Sequence, residues 1–181
     1  SINIIKSNFT ANNASSGGAI YVASSSANID YCNFDKNNAN VDGGAIYILS
    51  STQYVNVLNS LFTNNTAVRN GGAVYISGTA NKIVNSTFKE NHAGDGGGVY
   101  DVISTNTNTG INTIWNSTFS KNTAVEDGGG ALVKITDSYV DWNNFTYQAT
   151  SNPANSRLTW TYPGYSDVYY LYECLFEENI D

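Results

Sequence analysis

The chain has no methionine, two prolines, two cysteines and one histidine in 181 residues. Only 13% of its residues are charged, about half the roughly 25% of an average soluble domain. The 8 basic residues are outnumbered by 15 acidic ones and never cluster, which argues against nucleic acid or any other polyphosphate as partner. Apolar runs stop after a few residues, so no segment is long enough to cross a bilayer as a helix. The helix formers Leu, Lys and Glu are sparse. A single histidine leaves no basis for Ser-His-Asp chemistry, since no nucleophile motif accompanies it.

What is present is apolar enough to fold, at 41%, and polar chiefly through Asn, Ser, Thr and Tyr. Such uncharged polar residues suit strands and turns. The stretch NTAVRNGGAVYI (65–76) has close counterparts in NASSGGAIYV (13–22), NANVDGGAIYI (38–48) and NHAGDGGGVY (91–100). A second marker, F-x-x-N, starts units at Phe9, Phe34, Phe62, Phe88, Phe119, Phe145 and Phe176, with gaps of 25 to 31 residues. Its asparagines are Asn12, Asn37, Asn65, Asn91, Asn122 and Asn179, with Gln148 as the exception, and Ile4, Ile29, Val57, Ile83, Ile114, Val140 or Leu171 stands five before each phenylalanine.

The runs AIYV, AIYI and AVYI alternate with a period of two and are β-branched or aromatic, so they read as strands. A coil of this length with short strands between Gly and Asn turns predicts an all-β, right-handed parallel β-helix of about six coils, stacked at ~4.8 Å. The paired glycines give each coil a tight bend with positive φ. Ile20, Ile46, Val74 and Val99 then point inward, with Val22, Ile48 and Ile76, while Tyr21, Tyr47, Tyr75 and Tyr100 form an exterior column. The F-x-x-N asparagines predict a stacked amide ladder, beside a large layer of Phe and a small one of Ala. Cys32 and Cys174 share the column of Ser7, Ser60, Ser86, Ser117 and Asn143; five coils apart, roughly 24 Å, they are too distant for a disulfide and are expected to be free thiols.

Two stretches leave the pattern, STNTNTG at 104–110 and the longer 148–166, which holds both prolines, Arg157, Trp160, Tyr162 and Tyr165. Both are expected to be surface insertions in a single β-helix spanning 1–181. With no charged leader and a finish inside the F-x-x-N pattern, the chain reads as a piece of a larger protein.

The pairing of GGA[ILV] with F-x-x-N over residues 1–147, returning at 171–179, resembles the repeats of the chlamydial polymorphic outer membrane proteins. It is also similar to the repeats of large adhesin-like surface proteins of methanogenic archaea, towards which the Asn- and Tyr-rich composition leans. The resemblance implies an extracellular, cell-surface stalk or passenger engaged in adhesion, without enzymatic activity. Its partners would be a glycan or protein on a host or neighbouring cell and the adjoining repeats of the parent chain, with no insertion of this segment into the membrane.

Candidate ligand-binding residues are the tyrosine column, Tyr21, Tyr47, Tyr75 and Tyr100, and the insertion aromatics Trp160, Tyr162 and Tyr165, because aromatic rings bind sugar faces or side chains while their hydroxyls stay wet. The competing role of these residues is structural, as exposed strand positions or as a cover over the coil that lacks its glycine bend. Asp42, Asn70, Asp95 and Asp127 precede the glycines, and the three carboxylates would suit a hard cation such as calcium; Asp-Gly is also ordinary turn chemistry. Parallel β-helices that cleave polysaccharides gather carboxylates on one face, which keeps a lyase or hydrolase as the alternative function and a ligand-free spacer as a third. His92 is expected in an exposed turn, and Glu177 and Glu178 on solvated surface. Sequons fall at Asn8, Asn13, Asn64, Asn85, Asn116 and Asn144.

Overall fold

A computed structural model describes residues 1–50, 54–78, 80–103, 112–135, 138–142, 157–160, 169–172 and 174–180; at 50, 103, 132–135, 138–142, 157–160 and 169–172 it describes the backbone alone. The first coil consists of β1 (Ile2–Ile5), β2 (Asn8–Thr10), β3 (Asn13–Ala14) and β4 (Ile20–Ala23). The second repeats this as β5 (Ala27–Asp30), β6 (Asn33–Asp35), β7 (Asn38–Ala39) and β8 (Ile46–Ser50). The third holds β9 (Val55–Leu58), β10 (Leu61–Thr63), β11 (Thr66–Ala67) and β12 (Val74–Gly78), and the fourth β13 (Lys82–Val84), β14 (Thr87–Lys89), β15 (His92–Ala93) and β16 (Val99–Ile103). The fifth holds β17 (Asn112–Trp115), β18 (Thr118–Ser120), β19 (Thr123–Ala124) and β20 (Ala131–Ile135).

Each strand pairs in parallel with its counterpart one coil on, so the four strands of a coil belong to four different sheets. The fold is therefore a parallel β-solenoid. Five complete coils are joined by about four turns, slightly fewer than the six expected, and β23 (Tyr169–Tyr172) and β24 (Leu175–Glu177) begin one more. Two strands run against this grain. β21 (Ser138–Trp142) lies antiparallel to β20, and β22 (Arg157–Trp160) antiparallel to β23, each on the outer edge of its sheet. A sheet edge covered by a reversed strand no longer offers its backbone groups to another parallel strand.

This arrangement overturns one element of the repeat reading. Phe119 stacks directly on Phe176, ring centroids 4.6 Å apart, and Ile114 is in register with Leu171. The unit assigned to Phe145 thus occupies no rung between them. Its aliphatic marker, Val140, instead pairs antiparallel with Val133. Phe145, Gln148 and the insertion at 104–110 lie outside the described residues, as does most of 148–166.

Three interior columns hold the coils in register. The phenylalanine rings from Phe9 to Phe176 stack with centroids 4.6 to 4.9 Å apart and planes within 5°. Those of Phe34, Phe62, Phe88 and Phe119 are wholly buried, which stabilises the fold by roughly 1.5–3 kcal/mol for each ring. Beside them runs the asparagine ladder. Asn65 Oδ1 accepts both the backbone N–H (3.0 Å) and the Nδ2 (2.9 Å) of Asn37, and Asn65 Nδ2 donates back to the Phe34 carbonyl (2.9 Å). The same trio recurs at Asn91, Asn122 and Asn179. The side-chain amides of the buried asparagines Asn37, Asn65, Asn91, Asn122 and Asn179 are thereby paired, as burial demands.

The third column lies at the preceding corner. Ser60 Oγ donates to the Leu58 carbonyl two residues back (2.6 Å) and accepts the Cys32 backbone N–H (3.1 Å) from the neighbouring coil. Ser86 and Ser117 repeat the pattern. Cys32 occupies the serine position, its thiol reaching the Asp30 carbonyl at 3.4 Å, and both cysteines are free thiols as expected. Ahead of each of these two corner columns the chain turns on a non-glycine residue in the left-handed conformation, such as Tyr31, Asn59 and Asn85 at one corner and Lys36, Asn64 and Glu90 at the other. The strands are only two to five residues long because these corners recur so closely.

Candidate functional site: the stacked tyrosine ridge

The tyrosines are set by the glycine bend, whose two glycines do different work. Gly43 has φ +67, a conformation open to glycine and strained for other residues. Gly44 has no such φ; a Cβ there would strike the carbonyl oxygen of Gly72 in the next coil. Positive φ therefore explains the first glycine of the pair, and close approach between coils explains the second. The bend fixes the height at which the strand after it begins, and so brings Tyr21, Tyr47, Tyr75 and Tyr100 into one register.

Their rings stack on one another, with centroid separations of 4.9, 4.7 and 5.7 Å and planes within 15°. Because ring faces along the column lie against neighbouring rings, what the ridge presents outward is a row of ring edges and hydroxyls. It is graded along its length. Tyr21 is 52% exposed, Tyr47 and Tyr75 are half-buried, and Tyr100 is only 7% exposed. The expectation of four exterior tyrosines thus fails at Tyr100, which is buried, and in the next coil its register partner is Leu132.

Charge gathers at the foot of the ridge. The Arg69 guanidinium meets Asp42 at 3.5 Å, and the Asp42 carboxylate, 6% exposed, also accepts the backbone N–H (3.1 Å) and Nδ2 (2.9 Å) of Asn70. Burial, the stacked neighbours and the Asp42 carboxylate raise the hydroxyl pKa of Tyr47, with Arg69 opposing. The same causes, burial first, push Tyr75 up to about 12. Both phenols are therefore neutral hydrogen-bond donors across the physiological range.

The acidic column is in register but is engaged in turn bonding. Asp42 binds Asn70, Asn70 bridges to Asp95, and Asp95 Oδ1 accepts the Asp127 backbone N–H at 3.2 Å. Among the described residues no group of three His, Cys, Asp or Glu side chains could hold a metal ion. His92 sits exposed in β15, its Nδ1 2.7 Å from Thr123 Oγ1. Glu178 faces solvent and meets Lys121 at 3.4 Å. Trp160 lies in β22, where the backbone alone is described, and Tyr162 and Tyr165 lie outside the described residues.

The sequence reading missed one polar cluster altogether. Asp101 is wholly buried, in register with Ile76 and Val133, in a column that is otherwise aliphatic. Asn112 Nδ2 lies 3.0 Å from both of its carboxylate oxygens, and Asn112 Oδ1 in turn accepts from Asn81. The signal was present in VYDVI, which places Asp where the earlier strands have Val22, Ile48 and Ile76.

Three segments, residues 31–49, 59–77 and 116–134, match the Chlamydia polymorphic membrane protein repeat. The first two each run from the F-x-x-N corner through the glycine bend to the strand that carries Tyr47 or Tyr75, and the third ends in β20. No curated protein and no solved structure matched the chain.

Proposed function

We propose that this chain, a solenoid built on polymorphic membrane protein repeats, is an extracellular passenger segment that adheres to a glycan or protein on another cell. The repeats and the solenoid together fit a surface-protein passenger. The observation that carries the adhesive reading is the tyrosine ridge: three rings in one line, at least half of Tyr21 exposed, with their hydroxyls at the outer edge and Arg69 close to Tyr47 and Tyr75. Since the ring faces are taken up by the stack, recognition works through hydroxyls, edges and the guanidinium. An elongated polyhydroxylated or peptide ligand lying along the ridge meets these groups in succession.

The test is a glycan array, with a cell-binding assay for protein partners, run on the chain and on Tyr21→Ala and Tyr47→Ala variants, together with a reducing-sugar release assay. Binding that weakens in both variants without release of sugar ends supports adhesion. Sugar release abolished by Asp95→Asn or Asp127→Asn would establish the lyase or hydrolase instead. Silence in every assay would leave the spacer.

A further inference from the structure

From the second coil to the fifth, the chain enters its glycine bend on a polar residue, and that column reads Asp42, Asn70, Asp95 and Asp127. Asn70 is the one amide among the four, and Asn70-Gly71 is the one Asn-Gly step in the whole chain. Such a step carries chemistry of its own. The backbone nitrogen of the following residue can attack the asparagine Cγ, and glycine, lacking a Cβ, hinders the approach least. The N–Cγ bond forms as the Cγ–Nδ2 bond breaks, and Nδ2 leaves as ammonia with the proton of the attacking nitrogen. Water then opens the cyclic imide at either carbonyl, leaving aspartate, or isoaspartate with the main chain rerouted through the side-chain carbon.

The native coil holds both reacting groups in other bonds. The Gly71 N–H donates to the Asp95 carbonyl at 2.9 Å, and Asn70 Nδ2 donates to Asp42 Oδ1 at 2.9 Å. The Asn70 N–H reaches the same carboxylate oxygen at 3.1 Å, and Asn70 pairs with Asp95 in an isolated parallel bridge. The attacking nitrogen is thus tied to the fourth coil and its target to the second. Cyclisation requires both ties to break, so it proceeds only when the third coil opens locally. The products fit less well than the amide. Asp42 is 6% exposed, and a carboxylate at position 70 would replace its donor with a second negative charge at hydrogen-bond distance. Asp95 and Asp127 do stack, but Asp127 is exposed to water, which screens the pair. Isoaspartate adds a main-chain carbon just ahead of Gly72, where the Gly97 carbonyl of the next coil leaves no room even for a Cβ.

We propose that Asn70-Gly71 is a latent self-modification site: the stacked coils keep it closed, and opening of the third coil converts Asn70 irreversibly to a carboxylate, so that the bend re-forms weakened. The reaction consumes one water beyond the chain itself and releases ammonia. Asn70 is accordingly the neutral member of the column that lets Asp42 stay buried, with Arg69 as the remaining counter-charge at 3.5 Å. The site lies at the foot of the tyrosine ridge, but the inference is independent of adhesion, since it concerns the bend and not the outer edge of the rings.

Peptide-level mass spectrometry tests this on the unaltered chain, aged at neutral pH and one temperature, once folded and once in urea. In urea Asn70 is converted ahead of every other asparagine, and in the folded chain its conversion is slower by roughly tenfold or more. Equal rates in the two conditions, or another asparagine leading in urea, would overturn the proposal. The consequence is read on freshly made Asn70→Asp and Asn70→Ala, of which the second removes the donor without adding charge. Asn70→Asp lowers the unfolding temperature by roughly 2 °C or more and by more than Asn70→Ala does, and added salt narrows the gap between the two variants. An Asn70→Asp chain as stable as the original would overturn the weakening. Should that variant fail to fold, the ageing measurement still decides whether the coils keep the site closed.

Discussion

The phenylalanine and tyrosine columns stack at nearly the same interval, about 4.7 Å between most ring centroids, yet one is sealed and the other partly wet. Stacking is therefore imposed by strand register and says nothing about burial. What separates the columns is the side of the strand from which each ring projects. Phe34 closes the interior, where removal of a ring leaves a cavity; Tyr47 stands outside, where solvent fills the gap. The same geometry thus serves the core in one column and lines the outer face of the solenoid in the other.

The sharpest way to break the comparison is to delete one ring from each column. Phe62→Ala is expected to cost about 3–5 kcal/mol in denaturant unfolding, through lost burial and cavity formation. Tyr47→Ala, measured alongside, costs about 1 kcal/mol or less. Equal losses would mean that the tyrosines are part of the core. Next in size is Asn65→Leu, which removes the acceptor of the Asn37 N–H and Nδ2 and orphans the Phe34 carbonyl, each buried group costing about 1–3 kcal/mol in part. Asn64→Lys, one residue away and exposed, changes stability by about 0.5 kcal/mol or less, since Lys36 and Lys121 already hold the same left-handed conformation in their coils.

Alkali distinguishes the columns without mutation. Tyr75 has its pKa raised in the folded state from 10.0 to about 12, so the folded protein favours the neutral phenol. Its contribution to stability is complete below pH 10 and is lost as the pH climbs from 10 towards 12. Tyrosinate absorbance should show Tyr47 and Tyr75 titrating above 10.0, and Tyr75→Phe should reduce the alkaline loss of stability; a titration with every tyrosine near 10.0 would contradict the packing of the ridge. The smallest effect expected is a gain. Tyr31 carries a left-handed φ of 53 where the next coils have Asn59 and Asn85, so Tyr31→Asn should raise the unfolding midpoint by relieving about 1 kcal/mol or less of backbone strain.

Most of this scaffold was legible because a column repeats its chemistry once per coil. The inward aliphatics, the F-x-x-N ladder and the glycine bend each recur often enough to be read without a structure. Errors arose where a single residue broke its column. Phe145 matched the marker but had lost the asparagine and the glycines, and the structure shows that a matching phenylalanine alone does not make a rung. Asp101 was hidden for a different reason: the column of Val22, Ile48 and Ile76 was followed through three coils and not into the fourth, where the aspartate stands. The burial of Tyr100 had no signature at the bend, where GGVY continues the pattern that carries Tyr21, Tyr47 and Tyr75.

Variation in coil length is concentrated at one place. From Phe9 to Tyr21, Phe34 to Tyr47, Phe62 to Tyr75 and Phe88 to Tyr100 the count stays within one residue, while the return from the tyrosine strand to the next coil stretches and shrinks. In the sequence both irregular stretches fall on that return, between β16 and β17 and between β20 and β23. One seam of the molecule is thus free to be rewritten while the rest of each loop is locked to its neighbours above and below. Foreign peptides grafted at that seam should be displayed in a single file, at a pitch the backbone dictates.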